Sequence, residues 1–247
     1  MGAALRGTNW IKELFLRFGF IVKRSNYYSR EDLRLLRYLE LNEIDTVLDV
    51  GANRGEYAAA LIRGGFRGRI YSFEALPDLY DGLAERAAAT SDRWIVAPRC
   101  AISDREGAAK FNITRAESSS SLLTPTGVAV DMPGIFSIER TIEVPTKTIA
   151  ACCKSLEITS ERIFLKLDIQ GGEELALKGA EAIFPQIVGM VVEMPLVEYY
   201  TGQALARMLD TWILARGYVL WDINPAWRHP SSGRLDYIDV TYFRGAA

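Results

Sequence analysis

The feature that most constrains this chain is the alternation of short apolar runs with helix-patterned stretches. Thr46-Val47-Leu48-Asp49-Val50 reads as a short buried strand. Gly51 to Gly55 is a turn, Glu56 to Arg63 has helical composition, and Gly64-Gly65 ends that helix. Arg69 to Phe73 is a second strand, Pro77 opens a helix over about 78–89, and 94–102 holds a third strand. The order strand, helix, strand, helix, strand argues for a parallel sheet covered by helices. The alternation returns later. Arg162 to Leu167 is a strand ending in Asp168, Glu173 to Ala182 is a helix, and Ile187 to Val192 is a strand ending in Glu193. Ala204 to Arg216 is a helix closed by Gly217, and the closing strands are Tyr218 to Trp221 and Tyr237 to Phe243, with a polar connection between them.

The middle is less regular. Ala108 to Ile113 and Thr141 to Val144 read as strands, but 114–137 has no sustained period. A stretch of that length in a compact domain is usually a functional lid or disordered, and residues 114–138 are expected to move over an acceptor. No internal repeat or linker appears, so one domain over 45–247 is expected, preceded by a helical segment over 1–44.

Composition removes several classes. At 49% apolar and 24% charged, the chain has material for a core, which excludes whole-chain disorder. The net charge of −2 gives no basic excess, so no nucleic-acid partner is expected. The longest unbroken apolar run, 187–192, is far too short to span a membrane. Cys100, Cys152 and Cys153 have no metal-site spacing, and with no obvious secretory signal they point to a reducing, cytoplasmic setting.

The charge is uneven. Residues 1–38 hold eight basic and three acidic side chains, a balance of +5 that leaves −7 for the rest. Ser29, Glu31 and Asp32 mark a helix start, running to about Leu41. Trp10, Ile11, Leu14, Phe15 and Phe18 recur at helical spacing. A basic amphipathic helix suits an anionic membrane surface. Docking on its own domain or on a second subunit is the plainer reading.

In an open parallel sheet, ligands bind beyond the carboxyl ends of the strands. Asp49, Glu74, Asp168 and Glu193 all fall at such ends. The first turn, Asp49-Val50-Gly51-Ala52-Asn53-Arg54-Gly55, has the spacing Gly-x-x-x-Gly, without the middle glycine of the dinucleotide fingerprint. An acid two residues before Gly51 is a poor neighbour for a diphosphate and suits a cationic or zwitterionic ligand. Glu74 lies 23 residues after Gly51, near the separation expected of an acid that grips ribose hydroxyls. A ribose-bearing, partly cationic ligand points to S-adenosylmethionine.

The segment Val47-Leu48-Asp49-Val50-Gly51-Ala52-Asn53-Arg54-Gly55 resembles the first motif of the FkbM family of S-adenosylmethionine-dependent methyltransferases. Further pieces agree in order. They are Tyr71 to Pro77 (with Glu74-Ala75 where the family usually has Glu-Pro), Cys100-Ala101-Ile102-Ser103-Asp104 with Gly107, and Ser119-Ser120-Ser121-Leu122. Phe164 to Glu173 matches the most specific motif, with Gln170 where the family often has Glu, and Lys178-Gly179-Ala180, Val192-Glu193 and Arg216-Gly217-Tyr218 follow. The resemblance spans about 45–243. It implies an α/β, Rossmann-like class I methyltransferase fold: a seven-stranded, mostly parallel sheet with helices on both faces and the last strand antiparallel and inserted.

The same resemblance implies methyl transfer, often to a hydroxyl of a sugar or natural product, from bound S-adenosylmethionine to a small-molecule or glycan acceptor. Asp49, Gly51, Asn53 and Gly55 are then expected to shape the methionine end of the cofactor site, Glu74 to hold the ribose, and Ala101 and Ile102 to frame the adenine. Asp168 and Glu193 are the catalytic candidates, as general base or as ligands of a divalent metal, since carboxylates suit magnesium. Gln170 is given no acid–base role, Lys166 is read as structural, and His229 as incidental. Tyr199 and Tyr200 either line the acceptor pocket or pack. The rival readings are a nucleotide-dependent oxidoreductase or epimerase, and a non-catalytic binding protein on the same scaffold.

Overall fold

A computed structural model describes residues 9–21 and 30–245. Near-continuous apolar runs bury β1 (Thr46–Val50) and β7 (Ile163–Leu167) on both faces, as central parallel strands require. Around them stands a seven-stranded sheet. Its order is β3 (Trp94–Val96), β2 (Arg69–Phe73), β1, β7, β8 (Ile187–Pro195), β10 (Leu235–Arg244), β9 (Tyr218–Arg228). β3, β2, β1, β7 and β8 pair in parallel, and β10 is inserted antiparallel between β8 and β9. This is the mostly parallel seven-stranded sheet that the resemblance implied.

Successive side chains of a strand point to opposite faces, so Val47 and Leu48 serve different cores. On one face Val47, Ile70 and Phe164 meet α2 (Glu31–Leu41), α3 (Glu56–Arg63) and α4 (Pro77–Thr90) through Leu39, Ala59 and Leu83. On the other, Leu48, Phe73, Leu165 and Met190 meet α7 (Ile149–Ser155), α8 (Glu173–Gly179) and α9 (Ala206–Leu214) through Cys152, Leu177 and Ile213. The three cysteines are free and buried. Ser29, the expected cap of α2, lies outside the described residues.

Three differences from the sequence reading bear on the site. The stretch 94–102 is two strands, because Pro98 has no amide to continue a ladder. β3 stays in the main sheet, while β4 (Ala101–Ile102) joins β6 (Ile138–Lys147) and β5 (Gly107–Thr114) in a separate three-stranded sheet. β8 runs on to Pro195 because β10 supplies partners, so Glu193 sits within the strand opposite Asp239 rather than at its end. Likewise the expected polar connection after Trp221 is shorter, because β9 runs on to Arg228 and β10 begins at Leu235.

The aperiodic middle is built onto the body. It carries a 3-10 turn at Glu117–Ser119 and the short helices α5 (Gly127–Val130) and α6 (Pro133–Phe136). The Thr126 amide donates to the Tyr199 carbonyl at 2.8 Å, and the Thr201 amide to the Thr124 carbonyl at 2.8 Å. Phe136 stacks on the fully buried Tyr199 with ring centroids 5.2 Å apart. Tertiary contacts, which leave no period in a sequence, set this segment against the body as one wall of the site.

Candidate active site

The turn after β1 is made of left-handed backbone. Gly51, Asn53 and Gly55 have φ of +77°, +51° and +79°. Glycine is required twice, for different reasons. A Cβ on Gly51 would stand 1.8 Å from the carbonyl oxygen of Asp168, so β1 and β7 exchange their turns in near contact here. A Cβ on Gly55 would meet the Trp94 ring at 2.5 Å and Leu83 at 2.8 Å, so Gly55 lets α3 pack. The Glu74 carboxylate, at the end of β2, crosses to this turn. It accepts from the Asn53 amide at 2.7 Å and from the Ala75 and Leu76 amides at 2.9 and 2.8 Å. Burial pushes Glu74 up from the usual carboxylate range, and the three amides and Lys166 oppose that push.

Beyond β7, Gln170 and Gly171 also adopt positive φ, +54° and +98°. The buried Glu173 pins this second turn by accepting from the Ile169 amide at 2.9 Å and the Gly171 amide at 3.0 Å. Burial raises Glu173 to about 7 even so. The turn aims the Gln170 side chain between the two catalytic candidates. Its amide nitrogen donates to Asp168 Oδ1 at 3.1 Å and to Glu193 Oε2 at 2.8 Å, and its oxygen accepts from the Tyr200 hydroxyl at 3.3 Å. Burial, joined by the charges of Asp168, Glu173 and Asp239, pushes Glu193 well above the usual carboxylate range.

Lys166 ties the two turns together. Its ammonium donates to the Gly51 carbonyl at 2.7 Å and the Val50 carbonyl at 3.3 Å. It also stands 3.3 Å from Asp49 Oδ1 and 3.6 Å from Asp168 Oδ2. Burial opposes its charge, but Asp168 and Asp49 outweigh that and raise it above the ordinary lysine value. Asp49 is fully buried, and its other oxygen accepts from the Ser72 hydroxyl at 3.0 Å.

These turns open onto a cavity of about 430 Å³, within the range of small-molecule sites. Gly51, Asn53, Glu74, Ala101, Ile102, Asp168 and Glu193 all line it, so the structure brings seven of the nine sequence candidates together. Asp49 and Gly55 stand behind its wall. β4 of the small sheet delivers Ala101 and Ile102, and the built middle segment delivers Ser118, Ser120, Ile135 and Phe136. Trp227 and Tyr237, from the closing strands, complete the far end.

The wall carries four carboxylates, Glu74, Glu117, Asp168 and Glu193, and among the described residues no lysine, arginine or histidine. Tyr199 and Tyr200 pack, fully buried, behind it. His229 sits in the β9–β10 turn, its ring accepting from the Ser231 and Ser232 amides at 3.3 Å. Among the described residues, no group of three or more His, Cys, Asp or Glu side chains is placed to hold a metal ion.

The sequence reading missed the bridging place of Gln170, the pinning role of Glu173 and the reach of Lys166 out of its strand. Only the run Asp168-Ile169-Gln170-Gly171-Gly172 hinted at the first.

The model of a family described as the methyltransferase FkbM domain matches residues 49–220. The chain belongs to the FkbM methyltransferase family. Its fold is that of S-adenosylmethionine-dependent methyltransferases. Similar solved structures include a putative RNA methyltransferase from Pyrococcus horikoshii. That match has 11% identity and a TM-score of 0.47, and covers 95% of this chain and 98% of that one. Another is TrmK from M. capricolum in complex with S-adenosylhomocysteine, at 9% identity and a TM-score of 0.45, covering 86% and 68%. A third is a precorrin-6y C5,15-methyltransferase from Geobacter metallireducens, at 10% and 0.44, covering 90% and 94%. None of the curated proteins compared matches this chain.

Proposed function

We propose that this FkbM-family enzyme transfers a methyl group from S-adenosylmethionine to a hydroxyl of an uncharged acceptor, a sugar or a natural product. The observation that carries this is the charge of the cavity. Four carboxylates and no basic side chain line it among the described residues. A diphosphate would meet four acids and no basic side chain on the wall itself, which disfavours a nicotinamide-dependent oxidoreductase or epimerase. A ligand bearing a sulfonium and an ammonium fits the same wall. Glu74 retains lone pairs for ribose hydroxyls beside its three amide bonds. Ala101 and Ile102 offer an apolar bed to the adenine, and Gly51 and Asn53 face the methionine end. Asp49 and Gly55 act from behind, by fixing the turn.

When bound, S-adenosylmethionine supplies an activated methyl group on a good leaving group. The chain's own task is then to align an acceptor oxygen and remove its proton. Asp168 is the base. It is partly exposed to the cavity, paired with the Lys166 ammonium, and oriented by Gln170. Glu193, pushed up by burial, lines the cavity beside Asp168 and is placed to hydrogen-bond the acceptor. The rings of Phe136, Trp227 and Tyr237 with the Ser118 and Ser120 side chains give the far end the mixture of flat apolar faces and hydroxyls that suits a hydroxylated ring.

Asp168→Asn tests the assignment, using labelled cofactor and a panel of uncharged hydroxylated acceptors. Turnover should fall by about 10²–10⁴-fold, the usual contribution of a positioned base. S-adenosylhomocysteine binding by calorimetry should stay within a few-fold. Near-normal turnover with a confirmed acceptor removes Asp168 as base. Binding of NAD without binding of S-adenosylhomocysteine overturns the cofactor reading. Cofactor binding without turnover on any acceptor of the panel would favour a non-catalytic role.

A further inference from the structure

Residues 9–21 form a small unit whose apolar side chains are left uncovered by the other described residues. In α1 (Asn9–Arg17) and the turn after it, Trp10 is 63% exposed, Phe18 72% and Phe20 63%, with Leu14 and Phe15 nearly half exposed. The unit closes itself. Gly19, at φ +80°, donates its amide to the Leu16 carbonyl at 2.9 Å, and the Phe20 amide donates to the Phe15 carbonyl at 2.9 Å. The rings of Phe15 and Phe20 meet edge to face at 6.4 Å. This paired closure with its apolar contact gives partners to the Phe15 and Leu16 carbonyls, two of the four that a helix end otherwise leaves to water. An end sealed in this way can enter a poorly hydrated environment without stranding those groups.

The charges say which environment. The first 24 residues hold five basic side chains and one acid, a balance of +4, so the remaining 223 carry −6. Around the helix, Lys12 and Arg17 flank the arc that carries Trp10, Leu14, Phe15 and Phe18. Long basic side chains at the edges of an apolar arc can lay their stems on it and lift their charges into a headgroup layer. Aromatic rings favour the boundary of that layer. A symmetric pairing of two copies through this segment would set Lys12 and Arg17 against like charges.

We propose that residues 9–21 seat the protein on an anionic membrane surface, with Trp10, Phe15 and Phe18 entering the acyl boundary and Lys12 and Arg17 meeting lipid phosphates. The test is co-sedimentation of the full chain with vesicles of phosphatidylglycerol and phosphatidylcholine, against phosphatidylcholine alone. The wild type should bind the anionic vesicles. Each basic side chain near such a surface adds about five-fold to partitioning, so Lys12→Gln with Arg17→Gln should weaken binding by about 25-fold. Trp10→Ser with Phe18→Ser should weaken it by at least about ten-fold. Both pairs should leave the melting temperature and S-adenosylhomocysteine affinity unchanged, which separates this proposal from the catalytic one. It is overturned if anionic vesicles fail to sediment the wild type, or if neither pair of substitutions lowers binding. A dimer seen by light scattering that Trp10→Ser with Phe18→Ser dissolves, with no vesicle binding, would assign the segment to a second copy and overturn it as well.

Discussion

Lys166→Met keeps the side-chain stem and deletes the ammonium, so it isolates the electrostatic role of that group. In the wild type the ammonium stands 3.3 Å from a carboxylate oxygen of the fully buried Asp49 and donates to the Gly51 carbonyl at 2.7 Å. Without it, Asp49 keeps only the Ser72 hydroxyl. Removing one partner of a buried ion pair costs about 3–5 kcal/mol, and the lost charged hydrogen bond on Gly51 falls within that figure. For a chain of this size each kcal/mol moves the melting temperature by about 2–4 °C, so a fall of roughly 10 °C is expected. Urea unfolding and thermal melting at pH 7 read the loss. The attribution to Asp49 is checked by Asp49→Asn in the same background. Asn still meets Ser72 but carries no charge, so the double variant should recover about 1–3 kcal/mol, the range of coupling between contacting groups. A fall of less than about 2 °C for Lys166→Met (about 1 kcal/mol or less), or a double variant no more stable than the single one, would refute this account of the turn.

Two further expectations concern the carboxylates Glu74 and Asp239. Glu74→Gln should weaken S-adenosylhomocysteine binding by about ten- to a hundred-fold, since hydrogen bonds to charged groups contribute about 1.5–3 kcal/mol; an unchanged Kd in a folded variant would remove Glu74 from the site. Burial, with Asp168 and Glu31 nearby, raises Asp239 to about 7, so between pH 4 and pH 7 the folded chain holds a proton that the unfolded chain releases, and stability falls as pH rises through that window. Asp239→Asn should therefore stabilise at pH 8 by a few kcal/mol, about 1.4 for each unit of the shift, and by little at pH 3; urea unfolding that gives the same difference at both pH values would contradict it.

The parts legible in the sequence are those that local chemistry fixes. Val47 to Val50 and Phe164 to Leu167 announce buried strands because a central parallel strand is apolar on both faces. Gly51 announces a turn because only glycine tolerates its φ together with the approach of the Asp168 carbonyl. The parts that stayed hidden depend on partners far away in the chain. Glu193 looked like a strand end because nothing local says that β10 will pair on to Pro195. The middle segment looked loose because its order comes from Tyr199 and Tyr200, some 60 to 80 residues further on. Lys166 looked structural because strand alternation gives the face of a side chain but not the length of its reach. It spans from β7 to the turn after β1.

The two carboxylates that face the acceptor end are chemically unequal, and Gln170 is what keeps them so. Asp168 pairs with the Lys166 ammonium at 3.6 Å, whereas the charges of Asp168, Glu173 and Asp239 push against Glu193, which feels Lys166 only as a longer-range charge. A bridging group between them must donate to both. The Gln170 amide does so at 3.1 and 2.8 Å without adding charge. A glutamate there, which the related motif often has, would be a third acceptor between two acceptors and would need a proton or a cation to fill the same gap. In this chain the amide fills it without adding charge, so Gln170 orients Asp168 and Glu193 together, with Lys166 holding both Asp168 and the Gly51 turn in register.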